Sequence, residues 1–259
     1  MSAPLLLDAW LQRLKSSTPL DLAEDGQAAV PELLAAYTPE GFELHVHPGS
    51  TLWIVHGLVI AELSAELHPL SPAVEGSGVI QRRIDTTRGK ADHIKFELPE
   101  AAQGEGRGRR LLRASVELYQ ALGIEEIELT AVDTGKYAWA AAGFAFRTDE
   151  SRQEVFAGIE FAAELLGLTL ADLEPETVEP WQIAFMPPAG DFTVRDALEA
   201  FDPEGLEAIS GSADNLDDPL DRPGKTLLLA DEVPGWQGVL DLRPSDENFG
   251  LEQLYAYTD

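Results

Sequence analysis

Residues 98–112 read LPEAAQGEGRGRRLL and place a glycine-rich turn between a predicted strand and a predicted helix. Apolar and polar side chains alternate over residues 93–98, which predicts a strand that ends at Leu98. After the turn, apolar residues recur at helical spacing as far as Gly123, so we expect a helix that begins near Gly108. The sequence therefore predicts the order strand, glycine turn, helix in this segment.

The turn has the composition of an anion site. Glycines let the backbone come close to a ligand, and the N-terminus of a helix carries partial positive charge. Arg107, Arg109 and Arg110 add side-chain donors that suit phosphate oxygens. We therefore expect a pyrophosphate as the ligand of this turn.

Two other glycine motifs fit less well. A dinucleotide-binding fingerprint needs Gly-x-Gly-x-x-Gly, whereas Gly104, Gly106 and Gly108 are spaced Gly-x-Gly-x-Gly. The triplet Gly224, Lys225, Thr226 is part of a P-loop pattern, but Pro219 stands where the first glycine belongs, and a strand-like run of leucines follows. The sequence therefore favours neither nucleotide fold.

The elements around the turn predict a mixed α/β (α+β) fold. Period-two alternation predicts strands at residues 42–47, 51–67 (one bulged strand or two), 79–85, 126–132 and 144–147. In the strand before the turn, Ile94, Phe96 and Leu98 are expected on one face. Helical patterns occur at residues 4–15, 28–37 and 135–142, the last ended by Gly143. A mostly antiparallel central sheet flanked by helices follows.

The C-terminal part has weaker patterns. Helices are predicted at residues 150–166 and 194–201, short strands at 181–186, 226–229 and 238–242, and an acidic loop at 209–223. We expect three parts: N-terminal helices packed on the core (1–40), the sheet domain (41–147), and an acidic extension or small second domain of unknown role (148–259).

Composition excludes several classes of protein. The chain of 259 residues has no cysteine, so thiolate nucleophiles, disulfides and zinc ribbons are excluded. The net charge is −28 and most of the acidic excess lies in residues 148–259, whereas basic residues concentrate between Arg82 and Arg113. A nucleic-acid partner is not expected because the summed field repels phosphate backbones, and a small anionic ligand fits the basic cluster better.

Neither a membrane segment nor a metal site is predicted. No run reaches about 18 uninterrupted apolar residues, and the charges of residues 1–20 are in the wrong order for a secretory signal, so a cytoplasmic location is expected. His45 and His47 share a strand face and could bind a metal with a third ligand such as His56. Solvent-facing histidines explain that pattern more simply, and we predict no metal.

The segment Gln103-x-x-Gly106-x-Gly108 resembles the acyl-coenzyme A loop of the GNAT (Gcn5-related N-acetyltransferase) superfamily, whose pattern is Gln/Arg-x-x-Gly-x-Gly/Ala. The resemblance extends to the amphipathic helix, the next strand and a short helix that ends in Gly143-Phe144, and it covers about residues 41–147. It implies an acyl-CoA-binding fold with acetyl-CoA as cosubstrate. GNAT-like proteins are often dimers, so a homodimer is a further expectation.

The resemblance also implies a set of binding residues. Backbone amides of the glycines would hold the pyrophosphate, and the strand edge near Phe96 and Leu98 would bind the pantetheine arm. The cofactor-binding positions are Phe96, Leu98, Gln103, Gly104, Glu105, Gly106, Arg107, Gly108, Arg109 and Trp139.

The catalytic residues follow the pattern less closely. The family's general acid is commonly a Tyr four residues before the Gly of Gly-Phe, and here that position is Trp139, so Tyr137 is the candidate acid. Glu97 on the strand before the turn is the candidate base, with Glu62 and Asp133 as weaker ones. The expected function is an acyl-CoA-dependent N-acyltransferase, most simply an N-acetyltransferase, acting on a small amine or a protein amine. The alternatives are a catalytically inactive GNAT-like binding module and an acidic protein-interaction protein.

Overall fold

The structure is a computed structural model that describes residues 20–24, 31–55, 58–103, 106–165, 170, 173–186, 223–243 and 249–258. The chain forms two compact units. The first comprises Met1–Leu129, Asp241–Asn248 and Thr258–Asp259, and the second comprises Thr130–Leu240 and Phe249–Tyr257. The predicted mixed α/β fold with a mostly antiparallel sheet flanked by helices is confirmed.

The first unit contains a twisted arrangement of strands in one sheet. The strands are β1 (Leu20–Asp21), β2 (Phe42–Val46), β3 (Thr51–Val55), β4 (Leu58–Pro69), β5 (Gly78–Asp85), β6 (Lys90–Glu97) and β7 (Glu126–Ala131), whose last two residues belong to the second unit. Their order is β1-β3-β4-β5-β6-β7, with β2 also paired to β4. All these pairs are antiparallel except β6 with β7.

Two helices accompany this sheet, α1 (Pro31–Ala35) and α2 (Arg107–Ala121). Parallel neighbours need a crossover connection, and α2 supplies it between β6 and β7. β4 has one face in the core, because every second residue from Val59 to Leu67 is buried. The buried face of α2 includes Leu111, Leu112, Val116 and Tyr119. The core of this unit therefore lies between the sheet and its helices.

The second unit contains five helices and a short strand pair among its described residues. The helices are α3 (Gly135–Ala141), α4 (Asp149–Leu165), α5 (Pro180–Ala184), α6 (Pro223–Leu229) and α7 (Phe249–Thr258), and the strands are β8 (Ala145–Phe146) and β9 (Trp236–Asp241). The two strands pair antiparallel. A Cβ on Gly224 would lie 1.7 Å from the carbonyl oxygen of Ile183, so only glycine permits α6 to approach α5 so closely.

Two strands predicted in the C-terminal part are wrong. Residues 181–186 belong largely to α5, and residues 226–229 lie in α6. In both cases a proline at the first helical position, Pro180 and Pro223, begins a helix whose apolar run is too short to show its period. The helices predicted at 4–15 and 194–201, and most of the loop predicted at 209–223, lie outside the described residues.

Other predicted elements agree with the structure. The open choice at residues 51–67 resolves into two strands, β3 and β4, and the predicted strand at 238–242 corresponds to β9. The helix predicted at 150–166 is α4. Among the described residues, no helix combines the length and apolar character needed to cross a membrane.

Candidate functional site

The glycine-rich turn is braced at its base by two of its own side chains. After β6 the chain makes one short 3₁₀ turn and then enters α2. Gln103 Nε2 donates a hydrogen bond to the carbonyl oxygen of Leu98 at 2.9 Å. Arg107 Nη1 donates to the carbonyl oxygen of Ala102 at 3.1 Å. Gln103, Leu98 and Arg107 from the predicted set therefore hold the two ends of the turn in place.

Gly106 begins α2 in a backbone conformation that favours glycine. Its φ is 72° and its ψ is 8°, in the left-handed region. Its carbonyl oxygen accepts a hydrogen bond from the N–H of Arg110 at 3.1 Å, so the helix begins immediately after it. The two preceding members of the predicted set, Gly104 and Glu105, lie outside the described residues.

The first turn of α2 carries basic side chains. Gly106 has no side chain that could cap the helix, and the first turn contains no acidic residue. Arg107, Arg109 and Arg110 instead occupy its first, third and fourth positions, at the positive end of the helix dipole. Arg110 Nη2 lies 3.5 Å from Glu40 Oε2, but both side chains are exposed, so this pair contributes little. An anion here would interact favourably with the backbone N–H groups and the arginines together.

Phe96 packs against the start of α2. A Cβ on Gly108 would lie 3.4 Å from Cε1 of Phe96, which is an ordinary van der Waals contact for a methyl group. A larger side chain at this position would meet the ring. The end of β6 and the first turn of α2 are therefore close enough that the residue between them must be small.

The strand β6 has an edge without a strand partner among the described residues. Its pairing with β7 runs from Lys90↔Glu126 to His93↔Leu129 and stops there. β6 continues to Glu97, still paired with β5 on its other side. Backbone groups on the open edge from Ile94 to Glu97 can pair with an extended chain that contains amides. This edge leads directly into the glycine-rich turn.

Glu97 is an exposed carboxylate at the end of β6. Its side chain is 60% exposed, and its Oε2 lies 3.0 Å from Lys95 Nζ. A proton taken up by Glu97 could pass directly to water from this position. A role as general base is compatible with this placement and stays a prediction.

Tyr137 and Trp139 lie on α3 of the second unit and have different surroundings. The Nζ of buried Lys225 is 5.4 Å from the centroid of the Tyr137 ring, a cation–π distance. The Trp139 ring packs edge-on against Phe144 at 5.4 Å, and its Nε1 would lie 3.2 Å from a Cβ on Gly135. The Trp139 ring therefore lies close to residues at both ends of α3, whereas the Tyr137 ring lies beside a lysine. Their predicted roles as cofactor-binding residue and catalytic acid stay predictions.

Sequence reasoning missed a cluster of buried polar side chains on the inner face of the sheet. This inner cluster consists of Tyr37, Arg82, His93 and Tyr119. The hydroxyl of Tyr37 donates to that of Tyr119 at 2.9 Å, and the Tyr119 hydroxyl is 2.9 Å from His93 Nε2. One signal was available: Arg82 stands at an inward position of β5, between Ile80 and Ile84.

Burial determines the protonation of the inner cluster. It raises the pKa of Tyr37, and it raises the pKa of Tyr119 to about 12. It lowers the pKa of His93 well below the usual value, with the positive charge of Arg82 adding to the effect. The pKa of Arg82 is also lowered by burial, although a guanidinium keeps its proton. At neutral pH the cluster therefore holds one buried positive charge, two phenols and a neutral imidazole.

The histidines of β2 and β4, with His47 just after β2, lie close to carboxylates on the solvent-exposed face. The rings of His45 and His68 are 4.2 Å apart, and His68 Nε2 is 2.9 Å from Glu66 Oε2. His45 Nε2 lies 3.2 Å from Glu43, and His47 Nε2 lies 3.8 Å from Glu66. Within the described part of the chain, no group of three or more such side chains is arranged to hold a metal ion. His56, the third ligand considered from the sequence, lies outside the described residues.

The loop, the helix start and the open strand edge thus lie in sequence order on one path along β6 and α2. That path contains the described members of the predicted binding set other than Trp139, which lies on α3. Comparison with known proteins finds no matching family model, no match among curated proteins and no match among solved structures.

Proposed function

We propose that the chain is an acyl-CoA-dependent N-acyltransferase, most simply one that moves an acetyl group from acetyl-CoA to an amine. The observation that carries this proposal is the start of α2, where a left-handed glycine, an uncapped helix end and three arginines come together without an acidic residue in the first turn. A pyrophosphate is the ligand that this arrangement fits, because backbone N–H groups and guanidinium groups can share its oxygens.

The open edge of β6 supports a ligand with an extended arm. The pantetheine arm of coenzyme A contains two amide groups, which can pair with backbone groups as a neighbouring strand does. The edge from Ile94 to Glu97 runs into the turn, so an arm on this edge and a pyrophosphate at α2 would belong to one continuous ligand. This geometry favours acyl-CoA over a simple phosphate or nucleotide as the proposed ligand.

The proposed reaction joins the amine nitrogen to the acetyl carbon and breaks the carbon–sulfur bond. The attacking amine must be neutral, and the proton it loses passes to a base, for which Glu97 at the end of β6 is the candidate. The leaving thiolate takes a proton from an acid, for which Tyr137 is the candidate. The acceptor would be a cationic amine, since a net charge of −28 raises the local concentration of positive substrates.

A second function is favoured by Trp139. An indole N–H does not act as a proton donor in acid–base catalysis, and Trp139 is packed against Phe144 and close to Gly135. If Tyr137 does not take the place of the usual acid, the chain would bind acyl-CoA without transferring the acyl group. This candidate is a non-catalytic acyl-CoA-binding module.

The two functions are separated by an assay of thiol release from acetyl-CoA in the presence of polyamines, aminoglycosides and a lysine-rich peptide. The N-acyltransferase predicts amine-dependent release, slowed about 100-fold in Tyr137→Phe and at least about tenfold in Glu97→Gln. Glu43→Gln, an exposed strand carboxylate on β2, is the matched control and should retain full activity. Binding of acetyl-CoA without release on any amine would favour the binding module, and no binding at millimolar concentration would overturn both.

A further inference from the structure

The strand β6 contains a bulge just before its open edge. Gln81 pairs with Lys95 and Arg82 pairs with His93, so Ile94 is the extra residue on β6. Ile94 is 61% exposed, although alternation along the strand predicted it on the same face as Phe96 and Leu98. That prediction is wrong because the extra residue shifts the alternation beyond His93. The bulge therefore determines how the last residues of β6 are turned.

Arg82 connects the two strands at this bulge. Its Nη1 donates hydrogen bonds to the carbonyl oxygen of Gln81 at 2.9 Å and to that of Lys95 at 2.7 Å. Its Cζ lies 5.7 Å from the centroid of the Phe96 ring, and that ring contacts the start of α2 at Gly108. One side chain thus links β5, the residue after the bulge and the ring that supports the helix start.

The surroundings of Arg82 are costly for a purely structural residue. The residue is only 2% exposed, and the polar side chains around it in the inner cluster are two phenols and an imidazole rather than a carboxylate. A buried charge that lacks an opposite charge is destabilising, and an apolar side chain of similar size would fill the same volume at lower cost. Bulges are frequently found next to functional sites, where they direct a side chain or end a pairing.

We propose that Arg82 is a positioning residue for the acyl-pantetheine arm. By bridging Gln81 and Lys95 it fixes the bulge, which turns the open edge from Ile94 to Glu97 toward the arm and holds Phe96 close to Gly108. The inference rests on the proposed function. It assigns to Arg82 the pantetheine half of the ligand and no part in binding the pyrophosphate, which α2 holds.

The test compares two ligands on the full chain. One is acetyl-CoA and the other is 3′-phosphoadenosine 5′-diphosphate, which is coenzyme A without its pantetheine. In Arg82→Met we expect acetyl-CoA to bind about tenfold more weakly or worse, while the fragment binds within about twofold of the wild type. Arg82→Lys can still donate a hydrogen bond to one carbonyl oxygen, so we expect its affinity for acetyl-CoA to lie between those of Arg82→Met and the wild type. Equal losses for both ligands, or no loss for either, would overturn the proposal.

Amide hydrogen exchange on the ligand-free protein gives a second reading. Loss of the bridge should raise the exchange rates of Lys95 and Phe96 about tenfold or more, while those of residues 58–67 in β4 stay as in the wild type. If Arg82→Met does not fold, Tyr119→Phe takes its place, because it removes only the hydroxyl on which the inner cluster converges, and the same direction is expected. If the wild type binds neither ligand, the proposed function fails and this role of Arg82 fails with it. If the wild type binds acetyl-CoA but the variant shows unchanged exchange at Lys95 and Phe96, only the bridging role of Arg82 is overturned.

Discussion

The two longest helices among the described residues begin in opposite ways. α4 follows Thr148, whose Oγ1 accepts a hydrogen bond from the N–H of Ser151 at 3.1 Å, and its first turn contains Asp149 and Glu150. α2 follows Gly106, has no capping side chain and has no acidic residue in its first turn. The start of α4 is completed by its own residues, whereas the first turn of α2 combines helix N–H groups with basic side chains.

The difference indicates what α2 is missing. A capping oxygen stabilises a helix start by about 0.5–2 kcal/mol. An acidic residue in the first turn adds about 0.3–1 kcal/mol. α4 has both. An anionic ligand would supply to α2 what Thr148, Asp149 and Glu150 supply to α4, which is the physical basis of the proposed pyrophosphate site.

The largest expected effect comes from filling the start of α2. Gly108→Trp should weaken acetyl-CoA binding about 100-fold or more, because an indole at this position meets the Phe96 ring and covers the helix N–H groups. Gly108→Ala is the matched control, since its methyl group makes only van der Waals contact with that ring, and it should bind within about threefold of the wild type. Calorimetric titration measures both. Equal affinities for the two variants would break the comparison.

The second effect concerns the pH dependence of a buried contact between α2 and β6. Tyr119 near the end of α2 contacts His93 of β6, whose pKa in the folded chain is depressed by burial and by Arg82. An unfolded histidine takes up a proton near pH 6.5 and the folded one does not, so stability from this site is present above pH 6.5 and is lost as pH falls through the folded pKa.

The free energy of unfolding of the wild type should therefore fall relative to that of His93→Gln below pH 6.5, by up to about 1.4 kcal/mol per pH unit. Glutamine keeps a hydrogen-bonding group for Tyr119 but does not titrate. Urea unfolding of both proteins between pH 7.5 and 5 measures the difference, and parallel curves would show that His93 does not titrate differently in the folded chain.

The third effect tests the cap of α4 directly. Thr148→Ala removes the oxygen that accepts from Ser151, and we expect the free energy of unfolding to fall by about 1 kcal/mol. Thr148→Ser retains the oxygen and should remain within a few tenths of the wild type. Chemical denaturation measures both. An alanine variant as stable as the wild type would mean that α4 is no better completed than α2.

The smallest effect tests whether acetyl-CoA binding depends on the arginines of the first turn of α2 or on any arginine of this helix. Arg113 lies further along the helix, with its Nε 3.5 Å from Glu117 Oε1 in an exposed pair. Arg113→Ala should lower stability by about 0.3 kcal/mol and leave acetyl-CoA affinity unchanged. A loss of affinity as large as that caused by changes in the first turn would mean that the binding site extends along the helix and is not confined to its start.

Local features of the fold could be predicted from the sequence and pairing-dependent ones could not. The glycine turn and α2 follow from glycine chemistry and a clear helical period. The face of the strand on which Ile94 lies was mispredicted, because a bulge depends on the partner strand at Gln81 and Arg82 and cannot be read from the alternation of β6 alone. The helices α5 and α6 were mistaken for strands because their apolar runs are short, although Pro180 and Pro223 gave a signal for a helix start.

The candidate site divides in the same way. Gln103 and the arginines were singled out from a contiguous motif, and the structure adds that Gln103 bridges to Leu98 and that the helix begins at a left-handed Gly106. The inner cluster joins residues distant in sequence, Tyr37, Arg82, His93 and Tyr119, so only the folded sheet brings them together. A single charged residue in an inward register, as at Arg82, is the signal that could have found it.

A charge reversal in the first turn of α2 tests whether an anionic ligand binds at this helix start. Arg109→Glu supplies the missing acidic residue in the first turn, and Arg88→Glu makes the same charge change in the exposed turn before β6, at the far end of that strand. Each protein is titrated calorimetrically with acetyl-CoA and unfolded in urea without ligand. We predict that Arg109→Glu binds about tenfold more weakly or worse yet is about 0.3–1 kcal/mol more stable, while Arg88→Glu binds like the wild type. No binding by the wild type at millimolar acetyl-CoA, or equal affinities for the two variants, would contradict the account.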